Sequence, residues 1–343
     1  MIKKILITGG CGFVGSNLGI FLKKKGFKIT SLDNLYRSGS KLNYKRLKKE
    51  KIENLKLDIK NFDKINRIEN KFDLIIDCCA EPSVENSRKS INEAKRVMET
   101  NLTGTFNVVS KCLKDNSILI FLSSSRVYSI TELNKYKKEI NKKKYTKDFG
   151  IDLKTSYPRS LYGFTKLASE ELIKEFSYSN KLKYIINRIG VISGPWQFGK
   201  IDQGFISLWC WSHLMKQNLK YIGFGGTGKQ VRDVLHIDDL CELIFLQIKN
   251  IKKVNNLSLS FGGGKVNSIN LKKLTQKIKK YSKNSINISK IKKTSIYDIP
   301  YFVASNKIVN DIYKWKPKKT INDIIRDVYN WQKENIKILK KIF

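Results

Sequence analysis

Short apolar runs separated by longer mixed stretches set the pattern of this chain. From the N-terminus to about Ile189, candidate strands fall at Lys4–Thr8, Lys28–Leu32, Leu55–Asp58, Leu74–Cys79, Ile118–Ser123 and Tyr184–Ile189. Between them lie stretches with helical spacing, starting at Gly15 and running from about Ile91 to Lys114 and from Leu161 to Phe176. Such alternation predicts an α/β fold, a doubly wound parallel sheet with helices on both faces. Ligands of such sheets lie beyond the carboxyl ends of the strands. Asp33, Asp58, Ala80 and Ser124 each stand at or just after a predicted strand end, so they are expected to line one crevice.

Beyond Gly190 the pattern changes. Aromatics and glycines cluster at Gly194–Phe198 and at Tyr221–Gly228, and helical stretches follow near Asp238–Asn250, Leu271–Tyr281 and Ile321–Lys340. The expected division is residues 1–190 as a nucleotide-binding domain and 191–343 mainly as a smaller substrate-binding lobe, some of whose segments return to the first domain. Lys135–Lys147 is lysine-rich without clear apolar periodicity and reads as a solvated insertion or mobile loop beside the active site.

Composition adjusts this picture in two places. The formal net charge is +37, which raises nucleic acid or an anionic membrane as a partner. The lysines, however, are spread along nearly the whole chain among many Ile and Asn, with no zinc-finger spacing or RNA-binding aromatic motif, so no specific nucleic-acid partner is expected. The six cysteines include the adjacent Cys78–Cys79 and no Cys-x-x-Cys pair. They read as small buried hydrophobes in a reducing compartment, with no metal site. The apolar run after Lys3-Lys4 is broken by a glycine turn, which argues against a secretion signal, and no later run is long enough to span a bilayer. A cytoplasmic location is the expectation.

That glycine turn carries the first candidate chemistry. Gly9-Gly10-Cys11-Gly12-Phe13-Val14-Gly15 ends an apolar strand and opens a helix. Gly9 allows the tight turn, Gly12 lets the backbone approach a pyrophosphate, and Gly15 lets the helix pack on the strand. The helix N-terminus offers unpaired N–H groups to the phosphates. The next strand ends in Asp33, which suits the ribose hydroxyls of NAD and repels the 2′-phosphate of NADP. Arg37 lies close enough to complicate that preference. The sheet is therefore Rossmann-type, with NAD as the expected cofactor.

Tyr162 and Lys166 stand four apart at the start of a predicted helix, so phenol and ammonium share one face. A tyrosine with an ordinary pKa near 10 is a poor base at neutral pH. A lysine charge and an oxidised nicotinamide both favour the phenolate. Ser124, at a strand end, can hydrogen-bond the same substrate oxygen.

These residues resemble the extended short-chain dehydrogenase/reductase family of NAD-dependent nucleotide-sugar epimerases and dehydratases, over nearly the whole chain. The resemblance implies that Asp33 and Asn34 belong to the NAD fingerprint and that Asp58 and Ile59 lie beside the adenine. It places Cys78, Cys79 and Ala80 along the cofactor and Asn101 near the active site. It also assigns Ser124 as the catalytic hydroxyl, Tyr162 as the general base and Lys166 as its partner. Dehydratases of the family carry Asp-Glu directly after the catalytic hydroxyl. This chain has Ser125-Arg126, which disfavours dehydration and leaves Ser125 as a substrate contact. Asp202-Gln203-Gly204-Phe205 and Gly228–His236 look closer to the family's CDP-sugar 2-epimerases than to its galactose 4-epimerases. On that likeness Gln203 contacts substrate and Arg232 its pyrophosphate; the alternative for Arg232 is an ion pair with Asp233 or Asp238. A second phosphate arginine of that subgroup falls near Ser295 and is missing.

The resemblance implies a homodimer through the helices Ile91–Lys114 and Leu161–Phe176. Val97, Leu102, Val108, Val109, Leu167, Leu172 and Phe176 are the apolar excess expected to form it. The reading is an epimerase that oxidises a nucleotide sugar transiently and returns the hydride. UDP-hexose 4-epimerisation and a non-catalytic NAD-binding sensor stay open beside it.

Overall fold

The computed structural model describes residues 2–199 and 203–342. The chain forms two units. The first comprises Met1–Val127, Ser160–Arg188 and Cys241–Leu259, and the second Tyr128–Arg159, Ile189–Leu240 and Ser260–Phe343.

The first unit is built on a seven-stranded sheet. Its strands are β1 (Lys4–Thr8), β2 (Lys28–Leu32), β3 (Glu53–Leu55), β4 (Leu74–Asp77), β5 (Ile118–Ser124), β6 (Tyr184–Ile189) and β7 (Leu257–Phe261), in the spatial order β7-β6-β5-β4-β1-β2-β3. The pairings β1–β2, β1–β4, β2–β3 and β4–β5 are parallel. Ile5, Leu6 and Ile7 of β1 and every residue of β4 are buried, as expected for strands covered on both faces. The chain leaves β1 toward β2 and returns on the other side as β4, so the ends of β1 and β4 form the switch point where such sheets bind ligands.

Helices α1 (Phe13–Lys24), α2 (Ser38–Lys49), α3 (Phe62–Asn66), α4 (Ile91–Met98), α5 (Gly104–Asp115) and α6 (Leu161–Asn180) lie in this unit, as does the helix Ile237–Asn250 from Cys241 onward. The single helix expected over Ile91–Lys114 is α4 and α5 joined by a π turn, Glu99–Thr103. Two strand ends also differ from expectation. Strand β3 stops at Leu55, three residues before Asp58, and β4 stops at Asp77, so Cys78 and Cys79 lie just past the sheet, partly rather than fully buried.

The apolar residues expected to form a dimer face divide. Val97, Val108 and Val109 are buried, the latter two in the core with Ile173 of α6, while Leu172 and Phe176 pack against that core. They are core because this stripe of each helix faces the sheet. The large hydrophobic side chains exposed on these helices are instead Ile91, Phe106, Phe164 and Tyr178. The Phe106 ring is stacked on Phe62 at 6.0 Å and set edge-on to Phe176 at 6.1 Å.

In the second unit Val231–His236 is the hub strand. It pairs antiparallel with Ser268–Asn270 and parallel with both Tyr301–Phe302 and Val191–Ser193. A separate parallel pair joins Leu219–Ile222 to Ile288–Ile291. Helices Phe205–Met215, Leu271–Ser282 and Ile321–Glu334 bury Trp209, Leu274, Ile278, Ile324 and Val328 in one core. The last of them starts on a reciprocal cap between Thr320 and Asp323 and stops at Glu334, and a separate short helix, Ile336–Leu339, covers most of the remaining stretch expected to reach Lys340.

Lys135–Lys147, expected as a solvated insertion or mobile loop, has regular structure and anchoring contacts. It carries a short 3-10 helix, Lys137–Asn141, and aromatic side chains seat its distal end. Tyr145 is buried against the Tyr301 ring and accepts a hydrogen bond from Asn270 Nδ2 at 2.8 Å. Tyr301 donates to the Lys147 carbonyl at 2.6 Å. The lysines are the solvated side of a segment held by its aromatics.

Candidate active site

The glycine turn after β1 is drawn tight by sterics. Gly9 has φ +60°, and a Cβ there would stand 2.9 Å from Cys79 Cα. A Cβ on Gly15 would collide with the Gly9 carbonyl oxygen, and one on Gly12 would lie 3.0 Å from the same atom. Helix α1 starts on Gly12, with no side-chain cap and no acid in its first turn. Its N-terminus, at Phe13, Val14 and Gly15, thus presents backbone N–H groups to an anion.

Asp33 directly follows β2. Its Oδ2 accepts the Cys11 N–H at 3.1 Å and its Oδ1 the Leu35 N–H at 2.8 Å. Burial raises the Asp33 carboxyl above its ordinary value, opposed by those two N–H groups and by the Arg37 charge. Burial, then Asp33, push the Cys11 thiol up to about 12. Asn34 Nδ2 donates to Asp58 Oδ2 at 3.0 Å, and Asn107 Nδ2 donates to the carbonyl of the buried Ile59 at 2.8 Å. Burial also raises the Cys78 and Cys79 thiols, so both stay protonated at neutral pH.

Two buried polar groups hold these pieces together: Asp77, which the sequence did not mark, and Asn101, which the resemblance had placed near the active site. Asp77 accepts from Thr8 Oγ1 at 2.6 Å, the Cys79 N–H at 3.1 Å and Thr105 Oγ1 at 3.2 Å. Asn101, fully buried in the π turn, accepts the Glu81 N–H at 2.7 Å. Its amide donates to the Glu81 carbonyl at 3.2 Å and to Thr165 Oγ1 at 3.0 Å. Asn101 thereby ties the chain just past Ala80 to α6, the helix that carries Tyr162.

Helix α6 is set against β5 by successive contacts. Ser160 caps it, accepting the Gly163 N–H at 3.2 Å. A Cβ at position 163 would collide with the Arg126 carbonyl oxygen, so glycine is what lets the first turn of α6 reach the Ser125–Val127 turn after β5. Ser124 Oγ accepts the Arg126 N–H at 3.1 Å. The buried Lys166 donates from Nζ to the Leu122 carbonyl at 2.9 Å and lies 4.4 Å from the Phe121 ring centroid. One turn on, Glu170 accepts from Ser123 Oγ at 2.5 Å and from Arg188 at 2.7 and 3.0 Å. Ser124, Tyr162 and Lys166 are thus brought onto one strand end and the helix start beside it. The Tyr-x-x-x-Lys-x-x-x-Glu spacing was the available signal for Glu170.

In the second unit, Gln203 precedes Gly204, the left-handed cap of helix Phe205–Met215. Its neighbour Asp202 lies outside the described residues. Arg232 forms neither of the ion pairs expected as alternatives. Its Nη2 donates to Asp298 Oδ1 at 3.0 Å and to the Ile299 carbonyl at 2.7 Å. Asp233 turns the other way, since strand neighbours face opposite sides, and accepts the Gly264 N–H at 3.0 Å. Among the described residues no group of three or more His, Cys, Asp or Glu could hold a metal ion, and no helix is long and apolar enough to cross a membrane.

Residues 5–259 match the family described as NAD dependent epimerase/dehydratase. The chain belongs to this family. It is 30% identical to CDP-paratose 2-epimerase of Salmonella typhi, over 93% of this chain and 96% of that one. It is 27% identical to UDP-glucuronate 4-epimerase of Thermodesulfobacterium geofontis, over 98% of each. The UDP-glucuronic acid 4-epimerase of Bacillus cereus, solved with UDP-glucuronic acid and NAD, superposes with a TM-score of 0.82 over 99% of this chain and 100% of that one. At 21% identity this last likeness establishes the Rossmann-type fold. As an epimerase/dehydratase family enzyme the protein depends on NAD. The bare cradle at Gly9, Gly12 and Gly15, which side chains would fill, and the carboxylate after β2 fit that cofactor.

Gly163→Ala should cost about 1–3 kcal/mol of stability, the usual penalty for forcing a methyl group into a packed contact. It should also lower kcat, because the clash lies where the first turn of α6, next to Tyr162, meets the Ser125–Val127 turn that follows Ser124. Thermal unfolding and turnover of the variant check this, and native values for both would mean that the helix start tolerates displacement.

Proposed function

We propose that the protein is a nucleotide-sugar epimerase of the CDP-paratose 2-epimerase kind, acting on a CDP-3,6-dideoxyhexose. The observation that supports the reading is the lock between α6, the helix that carries Tyr162 and the buried Lys166, and the end of β5, which carries Ser124. The likeness to the Salmonella typhi enzyme supports the substrate class, since it extends over both units. Ser125-Arg126, in place of an acidic pair, favours epimerisation over loss of water.

In this reading Gly9, Gly12, Phe13, Val14 and Gly15 hold the pyrophosphate of NAD. Asp33, with Asn34, holds the adenosine ribose, Asp58 and Ile59 flank the adenine, and Cys78, Cys79 and Ala80 follow the cofactor. Held there, NAD would supply reversible hydride acceptance at a sugar carbon, which a redox-neutral inversion requires. Tyr162 removes the proton of the sugar hydroxyl and later gives it back. Lys166, held by the Leu122 carbonyl, adds the positive charge that favours the phenolate. Ser124 orients the sugar oxygen. In the second unit Arg232 exchanges Asp298 for the phosphates of the substrate, where a guanidinium binds bidentately, and Gln203 contacts the nucleotide.

Incubation with a panel of CDP- and UDP-sugars, followed by NMR, tests the substrate class. Inversion of a CDP-dideoxyhexose at C2 is expected. Inversion of UDP-sugars at C4 alone would favour the likeness to the UDP-glucuronate 4-epimerase. Tyr162→Phe should lose several orders of magnitude in turnover and keep its NAD, with Ser124→Ala falling less. Near-native activity in both would overturn the site assignment.

The exposed Phe106 and Phe164, with Ile91, form the face through which we propose a homodimer. A two-fold contact buries the same patch on both copies. Light scattering should give a dimer at micromolar concentration, strengthened by moderate salt that screens the positive charge. Phe106→Asp should give a monomer. A monomeric parent protein would remove this interface.

A further inference from the structure

Glu81 is a buried carboxylate held between two arginines, and none of the roles above uses it. Its Oε1 accepts from Arg37 Nη2 at 3.0 Å and its Oε2 from Arg96 Nη2 at 3.1 Å. Its side chain is only 7% exposed, and its backbone N–H and carbonyl are both clamped by the Asn101 amide. Its two ion pairs and its burial hold the carboxylate between the arginines, on a backbone fixed by Asn101. Arg96 is held in turn by Glu93 at 2.6 Å and stands 5.2 Å from the Tyr36 ring. Arg37, by contrast, lies near enough to Asp33 to draw its carboxyl down. An arginine in that place is the group that receives the 2′-phosphate of NADP.

We propose that Glu81 sets the nucleotide preference of the site by committing Arg37 to an ion pair, so that its guanidinium is withheld from a 2′-phosphate. Asp33 repels that phosphate, and Glu81 removes the cation that would offset the repulsion. The inference rests on the assignment of Asp33 to the adenosine ribose. It explains how a chain with an arginine beside the ribose site still belongs to the NAD-dependent class. Arg96 completes the device by balancing the second carboxylate oxygen, which fixes Glu81 without drawing it from Arg37.

The test is an exchange experiment on the purified holoprotein. Wild type, Glu81→Gln, Arg37→Ala and the double variant are each incubated with equal, saturating NAD and NADP until exchange is complete. After desalting and denaturation, the released nucleotides are separated and counted. Wild type should release predominantly NAD. Glu81→Gln should raise the NADP-to-NAD ratio about tenfold, the scale of one charge-assisted contact, and the double variant should lose that gain. An unchanged ratio in Glu81→Gln, or a gain that survives Arg37→Ala, would overturn the proposal. Arg37→Ala alone gives an arm that does not depend on Glu81→Gln folding. Its ratio should match wild type, because Arg37 is already committed, and a fall would show Arg37 serving NADP in the native protein. Wild type that releases neither nucleotide would overturn the cofactor assignment itself, an outcome that needs no variant to recognise.

Discussion

The contact between the start of α6 and the end of β5 is the constraint on which the rest of the site depends. Gly163 brings the helix backbone against the turn after Ser124, Lys166 is hydrogen-bonded to the strand at Leu122, and Glu170 ties Ser123 to Arg188. These contacts recur at intervals of about one turn, so they fix the rotation of the helix as well as its distance from the strand. A general base must be placed to within a fraction of an ångström of the proton that it takes. A helix pinned at three points can do that, whereas a loop cannot. The Glu170–Arg188 pair is almost fully buried, and breaking one side of such a pair costs several kcal/mol. Its use is positional: it holds the strand end and the helix in a single register.

A second set of buried polar groups fits the cofactor cradle to the same frame. Asp77 collects hydrogen bonds from β1, α5 and the chain past β4, and Asn101 joins that chain to α6. The π turn that carries Asn101 interrupts a helix that propensity alone would leave unbroken. Such turns commonly mark functional positions. Here the gain is a side-chain amide spent on the backbone of Glu81, which in turn takes up Arg37. Buried polar contacts are therefore continuous from β1 to α6, the helix that carries Tyr162.

Much of this was legible in the chain. The strand–turn–helix with its three glycines, the carboxylate after the second strand and the tyrosine–lysine spacing are local patterns, and local patterns survive in one dimension. The alternation of strands and helices likewise placed β1, β2 and β6 at their observed bounds. What escaped depends on partners distant in the chain. Arg232 meets Asp298, 66 residues on, rather than the nearer Asp233 or Asp238. Val108 and Val109 face the sheet while Phe106 faces out, and helical spacing cannot say which of two apolar stripes meets the core. The lysine-rich insertion hid its anchor because Asn270 and Tyr301, the partners of Tyr145, lie more than a hundred residues on, and its lysines dominate the composition.

Redox-neutral inversion is the central claim, and it differs from simple proton abstraction in the fate of one hydrogen. The direct measurement uses a nucleotide sugar carrying deuterium on the carbon whose configuration changes, incubated with the protein in ordinary water. Inversion with the deuterium retained on that carbon is the predicted result. Inversion with the label lost to solvent would contradict the account, because the carbon would then have exchanged a proton rather than recovered its own hydride.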